Sequence, residues 1–434
     1  MDYNHIAVIG LGKLGSCLAA GLASKKNKVS GVDINKRILN YIQNKKSPFE
    51  ERGLDELLKL AGSDLTVDSN IESAVSRSEI TFLVLPTPSR SNGKFSLKYI
   101  LDTIPDIAKG IHNTIHKYPV IVLTSTVMPG DCEKYIIPAL EKHTSKKCGN
   151  DFGFCYNPEF IALGSIIHDM QNPDMVLIGE SDAKAGRKLL RVYKTFIENK
   201  PAYQVMNIIN AEIVKLSINT FVTTKISYAN MLTQICNETK GANIDTVTSA
   251  LGKDSRIGMK YLKGGASYGG PCFPRDNMAF VKMASDKSIN AYIAKATDSV
   301  NNQHVKYICK EIYKTAGKEK RIGILGVSYK PDTPMVEKSA GVLIAEKLIK
   351  KKYQVSYFDP MVKKSPLPSM RQVSSMKKIL KNSDIIILLN NDKQYASIEP
   401  RDINRNTIIM DCWRILNEKK WKDHTNWYRL GISK

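Results

Sequence analysis

Ile6-Ala7-Val8-Ile9-Gly10-Leu11-Gly12-Lys13-Leu14-Gly15 is the stretch that decides the fold. Four short apolar residues read as a strand buried on both faces, and the glycines that follow sit at G-x-G-x-x-G spacing. A helical segment from Gly12 to Ser24 comes next, then a second apolar run, Val29 to Val32, closed by Asp33 eighteen residues beyond Gly15. Strand, glycine turn, helix, strand and acid in that order form a dinucleotide-binding unit. Gly10 permits the tight turn, and Gly12 lets backbone approach a pyrophosphate. Lys13 and Leu14 open the helix, Gly15 packs it on the strand, and Asp33 receives a ribose hydroxyl. Asp33 would repel a 2′-phosphate, so NAD is preferred. Lys36 and Arg37 lie close enough to keep NADP open.

Working outward, Ile80 to Leu85 and Val120 to Leu123 repeat the buried-strand pattern, and Phe152 to Tyr156 and Met175 to Ile178 extend it. Asp55 to Ala61 reads as another helix. From Asn210 the rhythm changes. Ala211 to Cys236 has no proline or glycine and carries Ile213, Val214, Leu216, Ile218, Phe221 and Val222 at helical spacing, so it predicts one long helix opening an all-α segment. At Lys320 the alternation returns, with Ile322 to Leu325, a helix over Ser339 to Lys351, and strands at Gln354 to Phe358, Ile385 to Leu389 and Ile408 to Asp411. The expected fold class is α/β, two Rossmann-like doubly wound domains joined by a central helical domain. The boundaries fall at 1–200, 201–316 and 317–434. Ile324-Leu325-Gly326-Val327-Ser328-Tyr329 begins like a second fingerprint but lacks its glycine spacing, so the last domain should hold something other than a dinucleotide.

Composition narrows the class. The chain has 434 residues, 42% hydrophobic, and a net charge of +22. No apolar run is long enough to span a bilayer, so no membrane insertion is expected, and Met1-Asp2-Tyr3-Asn4 leads into a strand rather than a signal peptide. The lysines are scattered in twos and threes (Lys25-Lys26, Lys45-Lys46, Lys419-Lys420) without interleaved aromatics, which argues for no nucleic-acid site. Eight cysteines include no Cys-x-x-Cys pair, which points to no metal site and to reduced thiols in a cytoplasmic protein.

One cysteine stands apart. Cys272 lies in Tyr268-Gly269-Gly270-Pro271-Cys272-Phe273-Pro274-Arg275-Asp276, a stiff polar loop rather than an apolar periodic run. Glycines admit a ligand and the nearby cation favours thiolate, so the residue reads as a nucleophile or as an inert loop thiol. On the long helix Lys215 and Asn219 are four apart and share a face, a cation and an amide suited to a developing oxyanion; solvated surface is the plainer reading of the lysine. Glu159 and Thr126 each follow a strand, where such sheets place catalytic groups. A helix-start acid and an ordinary turn are their alternatives.

These segments together resemble the UDP-glucose/GDP-mannose (nucleotide-sugar) 6-dehydrogenases over nearly the whole chain. The matching residues are Gly10 to Gly15, Pro86-Thr87-Pro88, Ser125-Thr126-Val127, Asn157-Pro158-Glu159-Phe160, Lys215 with Asn219, Arg256-Ile257-Gly258, Tyr268 to Asp276, and Tyr329-Lys330-Pro331-Asp332-Thr333. The resemblance implies an NAD domain, a central domain forming a homodimer, and a C-terminal domain for a nucleotide diphosphate. It implies oxidation of a nucleotide sugar, UDP-glucose by preference, from C6 alcohol to carboxylate with two NAD in succession. Cys272 would capture the aldehyde and carry the thioester. Lys215 and Asn219 would stabilise oxyanions, Asp276 and Thr126 would position water, and Glu159 would act as base. NAD would be held by Gly10, Gly12, Lys13, Leu14, Gly15, Asp33, Arg37, Pro86, Thr87, Ser125, Thr126 and Arg275. The sugar nucleotide would be held by Glu159, Phe160, Lys215, Asn219, Arg256, Tyr261, Gly265, Tyr268, Gly269, Tyr329, Lys330 and Arg414, with Arg256 reaching across a dimer.

Three places depart from the family pattern. Leu163 stands where many relatives have a second glutamate, Glu337 where an arginine is usual, and Asp411-Cys412-Trp413-Arg414 replaces a pattern with arginine two residues after the aspartate. Arg414 is expected to compensate. A different nucleotide sugar is the nearest alternative, followed by a single-step β-hydroxyacid dehydrogenase, which lacks a use for Cys272, and a non-catalytic nucleotide-binding protein.

Overall fold

A computed structural model describes residues 4–316 and 321–433. The expected return of the α/β pattern at Lys320, and the boundary beside it, fall on residues outside that description. The chain folds as two compact units, one up to Leu216 and one from Ser217.

The first unit is built on an eight-stranded sheet: β1 His5–Ile9, β2 Lys28–Val32, β3 Leu65–Asp68, β4 Ile80–Leu83, β5 Val120–Leu123, β6 Gly153–Tyr156, β7 Met175–Glu180 and β8 Ala202–Asn207. Their spatial order is β3-β2-β1-β4-β5-β6-β7-β8. The first six strands are parallel; β7 runs antiparallel to β6 and pairs in parallel with β8. Order reverses between β1 and β4, the switch point where doubly wound sheets open a crevice. Alternate residues of β1 face opposite cores. Ile6 and Val8 pack with the helix Lys13–Ser24 on one side, and Ala7 and Ile9 pack with the helix Lys98–His112 on the other. Burial on both faces is why β1 and β5 carry no polar alternation. The sheet runs past residue 200, because β8 pairs in register with β7 from Met175/Ala202 to Glu180/Asn207.

The second unit repeats the plan on a wholly parallel sheet: β9 Arg321–Leu325, β10 Gln354–Phe358, β11 Arg371–Gln372, β12 Ile385–Leu388, β13 Ile408–Asp411 and β14 Trp427–Arg429. The order β11-β10-β9-β12-β13-β14 is again the doubly wound one. Between the two sheets in sequence comes the helical stretch, with helices Ile208–Glu238, Ile244–Lys253, Phe273–Ser285 and Tyr292–Thr315. The long helix begins three residues before the predicted start. Its first turns belong to the first unit and the remainder to the second.

Candidate active site

In the first unit the turn after β1 has the geometry its glycines predict. Gly10 holds φ at +94°, and a side-chain carbon there would lie 2.3 Å from the Val84 carbonyl oxygen. A carbon on Gly15 would lie 1.8 Å from the Gly10 oxygen, so helix and turn touch backbone to backbone. Gly12 differs. It is exposed, and nothing lies within 4 Å of where its side chain would be. It caps the helix Lys13–Ser24 with no side-chain acceptor, which leaves the first N–H groups of that helix, including those of Lys13 and Leu14, facing outward as an anion site. Asp33 stands at the end of β2, its Oδ2 accepting from the Leu11 N–H at 2.7 Å and its Oδ1 from the Asn35 N–H at 2.8 Å. A carboxylate has about four acceptor positions, so each oxygen keeps capacity for a ribose hydroxyl. Arg37 is exposed one turn on, its guanidinium 5.7 Å from the centre of the Tyr41 ring. Open backbone, an uncapped helix start and an acid with spare lone pairs fit a dinucleotide.

The loops after β4 and β5 are stitched to each other. Ser125 Oγ donates to the Leu85 carbonyl at 2.5 Å and accepts the Leu85 N–H at 3.0 Å. Thr87 Oγ1 donates to the Thr126 carbonyl at 2.7 Å. Thr87 is buried and Pro86 beside it is exposed, while Thr126 is partly exposed. Ser125 and Thr87, expected to touch cofactor, therefore spend hydroxyl bonds shaping the pocket loops.

Glu159 follows β6. Its Oε1 lies 2.9 Å from the hydroxyl of Tyr193, a contact that sequence reasoning did not anticipate. Burial pushes the Glu159 carboxyl up from its ordinary range, against the opposing pull of Tyr193 and Lys215. Lys215 Nζ donates to the backbone carbonyl of Glu159 at 2.6 Å and lies 4.5 Å from the centre of the Phe160 ring. One turn earlier on the same helix, Glu212 is fully buried and accepts the N–H groups of Gly130 and Cys132 at 2.6 and 3.1 Å. Leu163, in place of a second glutamate, packs against the core. A carboxylate is nonetheless close by in the chain's fold, because Glu51 accepts the N–H groups of Gly164 and Ile166 at 3.2 and 2.8 Å.

In the second unit, Cys272 is the N-cap of the helix Phe273–Ser285 and the one exposed cysteine among the described residues. Asp276, at the first turn, is almost fully buried. Its Oδ2 accepts from Asn219 Nδ2 at 2.6 Å, and its Oδ1 lies 3.4 Å from Arg275 Nε. Asn219 and Cys272 are thus tied to one another through four residues of helix. The Gly264 to Gly270 segment leading to Cys272 is buried and pinned from all sides. Asn230 Oδ1 accepts the Gly265 N–H at 2.9 Å, the Gly265 carbonyl meets His304 Nε2 at 2.7 Å, and Asn301 makes both a donor and an acceptor bond to the Tyr268 backbone. A side chain on Gly265 would enter the Trp413 ring, and one on Gly269 would lie 2.3 Å from the Lys338 carbonyl oxygen. The Tyr329 ring covers Gly270, 2.8 Å from where a side-chain carbon would be, and burial pushes the Tyr329 phenol above its ordinary range. Tyr261 is exposed with φ +62°, its ring set edge-on to Phe273 at 6.5 Å. Lys330, beside Tyr329, is partly exposed.

Three expected substrate groups are placed otherwise. Arg414 is turned inward, its side chain only 3% exposed. Its N–H groups go to both Asp245 oxygens and to the carbonyls of Gly264, Cys412 and Leu430, at 2.6 to 3.1 Å. A guanidinium has five N–H groups, so none remains for a ligand, and Arg414 is a clamp on the glycine loop. The Tyr268 hydroxyl is likewise committed, to Asp298 at 2.5 Å and Asn277 at 3.1 Å. Arg256 is highly exposed and paired with Asp254 at 2.6 Å on its own loop.

The fingerprint-like turn of the second sheet is closed. Asp359, at the end of β10 where Asp33 ends β2, is buried and accepts five hydrogen bonds, from the Val327 and Ser328 N–H groups, the Ser328 hydroxyl and the N–H groups of Met361 and Val362. Asn390 fills the space above Gly326. The acid that would bind a ribose is used up. Among the described residues no cluster of three metal-ligating side chains occurs, and no helix is long and apolar enough to cross a membrane.

Comparison with known proteins agrees with this architecture. Three family models match in order: the NAD binding domain of the UDP-glucose/GDP-mannose dehydrogenase family over residues 4–197, its central domain over 209–303 and its UDP binding domain over 323–418. The chain is 30% identical over 418 residues to a UDP-glucose 6-dehydrogenase of Bacillus subtilis, covering 94% of this chain and 92% of that one. It is also 30% identical over 417 residues to a GDP-mannose 6-dehydrogenase of Pseudomonas putida, covering 91% and 92%. The solved structure of a UDP-glucose dehydrogenase from the archaeon Pyrobaculum islandicum superposes with a TM-score of 0.88 at 28% identity, over 99% of this chain and 98% of that one.

Proposed function

We propose that this chain, which belongs to the UDP-glucose/GDP-mannose dehydrogenase family and takes NAD as its cofactor, oxidises UDP-glucose at C6 to UDP-glucuronate. The reaction removes four electrons, and NAD supplies the hydride acceptor for each of two oxidations. After the first, the Cys272 sulfur adds to the aldehyde carbon and a thiohemiacetal forms. After the second the same carbon is a thioester, and water displaces the sulfur. Cys272 at a helix N-terminus suits this task, because the outward N–H groups favour negative charge on the sulfur. Asn219, with one N–H fixed on Asp276, keeps a second donor for the oxyanion, and Lys215 lies one helical turn away on the same helix. Asp276 and Thr126 position water and Glu159 accepts its proton. Tyr261, Gly265, Gly269, Tyr329 and Lys330 form the substrate cradle, with Tyr268 and Arg414 supporting it from behind.

The three-part division, a cofactor domain running past residue 200 to take in β8, a helical dimerisation domain after it to 316 and a nucleotide-diphosphate domain over 317–434, belongs to this proposal. The homodimer is supported by Phe221, Tyr228, Met231 and Ile235, exposed large apolar residues along one stripe of the long helix. Arg256, exposed on the surface, would serve the neighbouring subunit. A cytoplasmic setting suits the seven other cysteines, none of which is in a disulfide.

The observation that carries the proposal is the Cys272–Asp276–Asn219 arrangement, an exposed thiol one helical turn from a buried carboxylate that orients an amide donor. A second substrate reading, GDP-mannose, is favoured by the equal identity to enzymes of both kinds. Purified protein supplied with NAD and, in turn, UDP-glucose, GDP-mannose and UDP-N-acetylhexosamines decides between them by NADH absorbance. Fastest turnover on UDP-glucose supports the proposal, and activity on another of these without UDP-glucose oxidation overturns the substrate assignment.

A further inference from the structure

We infer that Tyr193 is the positioning residue for Glu159, its single phenolic proton serving the carboxylate when Glu159 is ionised and Asn157 when Glu159 is protonated. The inference rests on the role proposed above for Glu159 as base in thioester hydrolysis. Tyr193 lies on the helix Ala183–Phe196 and is 5% exposed. Its hydroxyl is 2.5 Å from Asn157 Oδ1 and 2.9 Å from Glu159 Oε1. Asn157 cannot answer as a donor, because its Nδ2 is turned the other way, donating to the Leu177 carbonyl at 2.9 Å. Two acceptors therefore compete for one hydrogen.

The competition has two settled arrangements. With Glu159 ionised, the phenol donates to the carboxylate in a charge-assisted bond, and Asn157 Oδ1 is left short of that hydrogen. With Glu159 protonated, the carboxyl donates to the phenolic oxygen and the phenol donates to Asn157, so every group in the row is paired. The hydroxyl turns as the carboxyl titrates, and neither state strands a buried proton. Among the described residues, Tyr193 and Lys215 are the titratable groups that act on Glu159; burial opposes its ionisation, and both partners favour it.

In the hydrolytic step, water oxygen bonds to the thioester carbon, the carbon–sulfur bond breaks and the sulfur leaves as thiolate. The water proton passes to Glu159, and the Tyr193 hydrogen swings to Asn157 without any bond of the phenol breaking. The carboxylic acid product then loses its own proton to solvent. Tyr193 thus acts on the second half of the reaction and not on the first oxidation.

The test uses full-length Tyr193→Phe, which keeps the ring and removes one oxygen. Losing a bond to the ionised form raises the carboxyl's titration point, so the acid limb of the turnover profile should move about one pH unit higher and turnover below it should fall about tenfold. The first NADH per active site, followed by stopped flow, should keep its rate, and acyl-Cys272 enzyme should accumulate in intact-mass spectra after acid quench. Asn157→Ala removes the competing acceptor and should move the same limb lower. Unchanged acid limbs in both variants, or equal slowing of the first NADH and the steady state, overturn the inference. Wild-type protein that yields fewer than two NADH per substrate overturns the functional reading itself, a result visible before any variant is made.

Discussion

Replacing Arg414 by methionine separates a ligand contact from a structural clamp. The substitution keeps length and volume but removes five hydrogen bonds, to Asp245 twice and to the Gly264, Cys412 and Leu430 carbonyls. Asp245 is 42% exposed in its side chain and can turn to water. The three carbonyls are less able to, and orphaned buried acceptors cost about 1–3 kcal/mol each. Allowing for partial rehydration of the three carbonyls, the loss is about 3–5 kcal/mol. Arg414 also holds φ at +55°, a strained backbone that only its contacts justify. At roughly 2–4 °C per kcal/mol for a unit of this size, the transition of the second unit should fall by about 6–20 °C in scanning calorimetry. Arg414→Lys, retaining charge but one nitrogen, should fall in between. KM for the nucleotide sugar, measured well below the transition, should change less than threefold or so. A transition within about 2 °C of wild type together with a KM raised tenfold or more would refute the clamp and return Arg414 to the ligand.

Three further outcomes are expected. Gly12→Val should fold normally, because nothing lies within 4 Å of the new side chain, yet weaken NAD binding at least about tenfold in a fluorescence titration, since the proposed function puts the pyrophosphate in that open space. Cys272→Ser should lower overall turnover by about a thousandfold or more with an unchanged thermal transition; near-normal NADH production would remove the thiol from the mechanism. Phe221→Glu with Ile235→Glu should shift the species seen in light scattering from about twice the 48.5 kDa chain mass to that mass, and a dimer persisting in the double variant would place the interface elsewhere.

The elements read correctly from sequence are those buried on two faces. Ile6 to Ile9, Val120 to Leu123 and Ile385 to Leu389 announce themselves because every residue there is apolar and buried. β8 escapes the sequence for the opposite reason: Ala202–Asn207 is a mostly exposed edge strand that depends on pairing with β7 rather than on a buried run. The helix Lys98–His112 was obscured by Pro105 inside it, and the reversal at β7 has no local signal. At the candidate site, residue types were legible and their directions were not. Sequence offers Arg414 as a compensating ligand group, but only the fold reveals that every donor is spent inward. Tyr193 was invisible as a site residue, since a tyrosine at the buried face of an amphipathic helix reads as core until its hydroxyl is found between Asn157 and Glu159. Asp359 shows the same limit: the sequence revealed missing glycines, whereas the structure reveals that the acid itself is occupied.

The central claim is a four-electron oxidation held together by one thiol, and the ratio of NADH formed to nucleotide sugar consumed tests it most directly. With UDP-glucose limiting and NAD in excess, the account predicts two NADH per substrate, one carboxylate product and no aldehyde released. One NADH per substrate with free aldehyde in solution would contradict it.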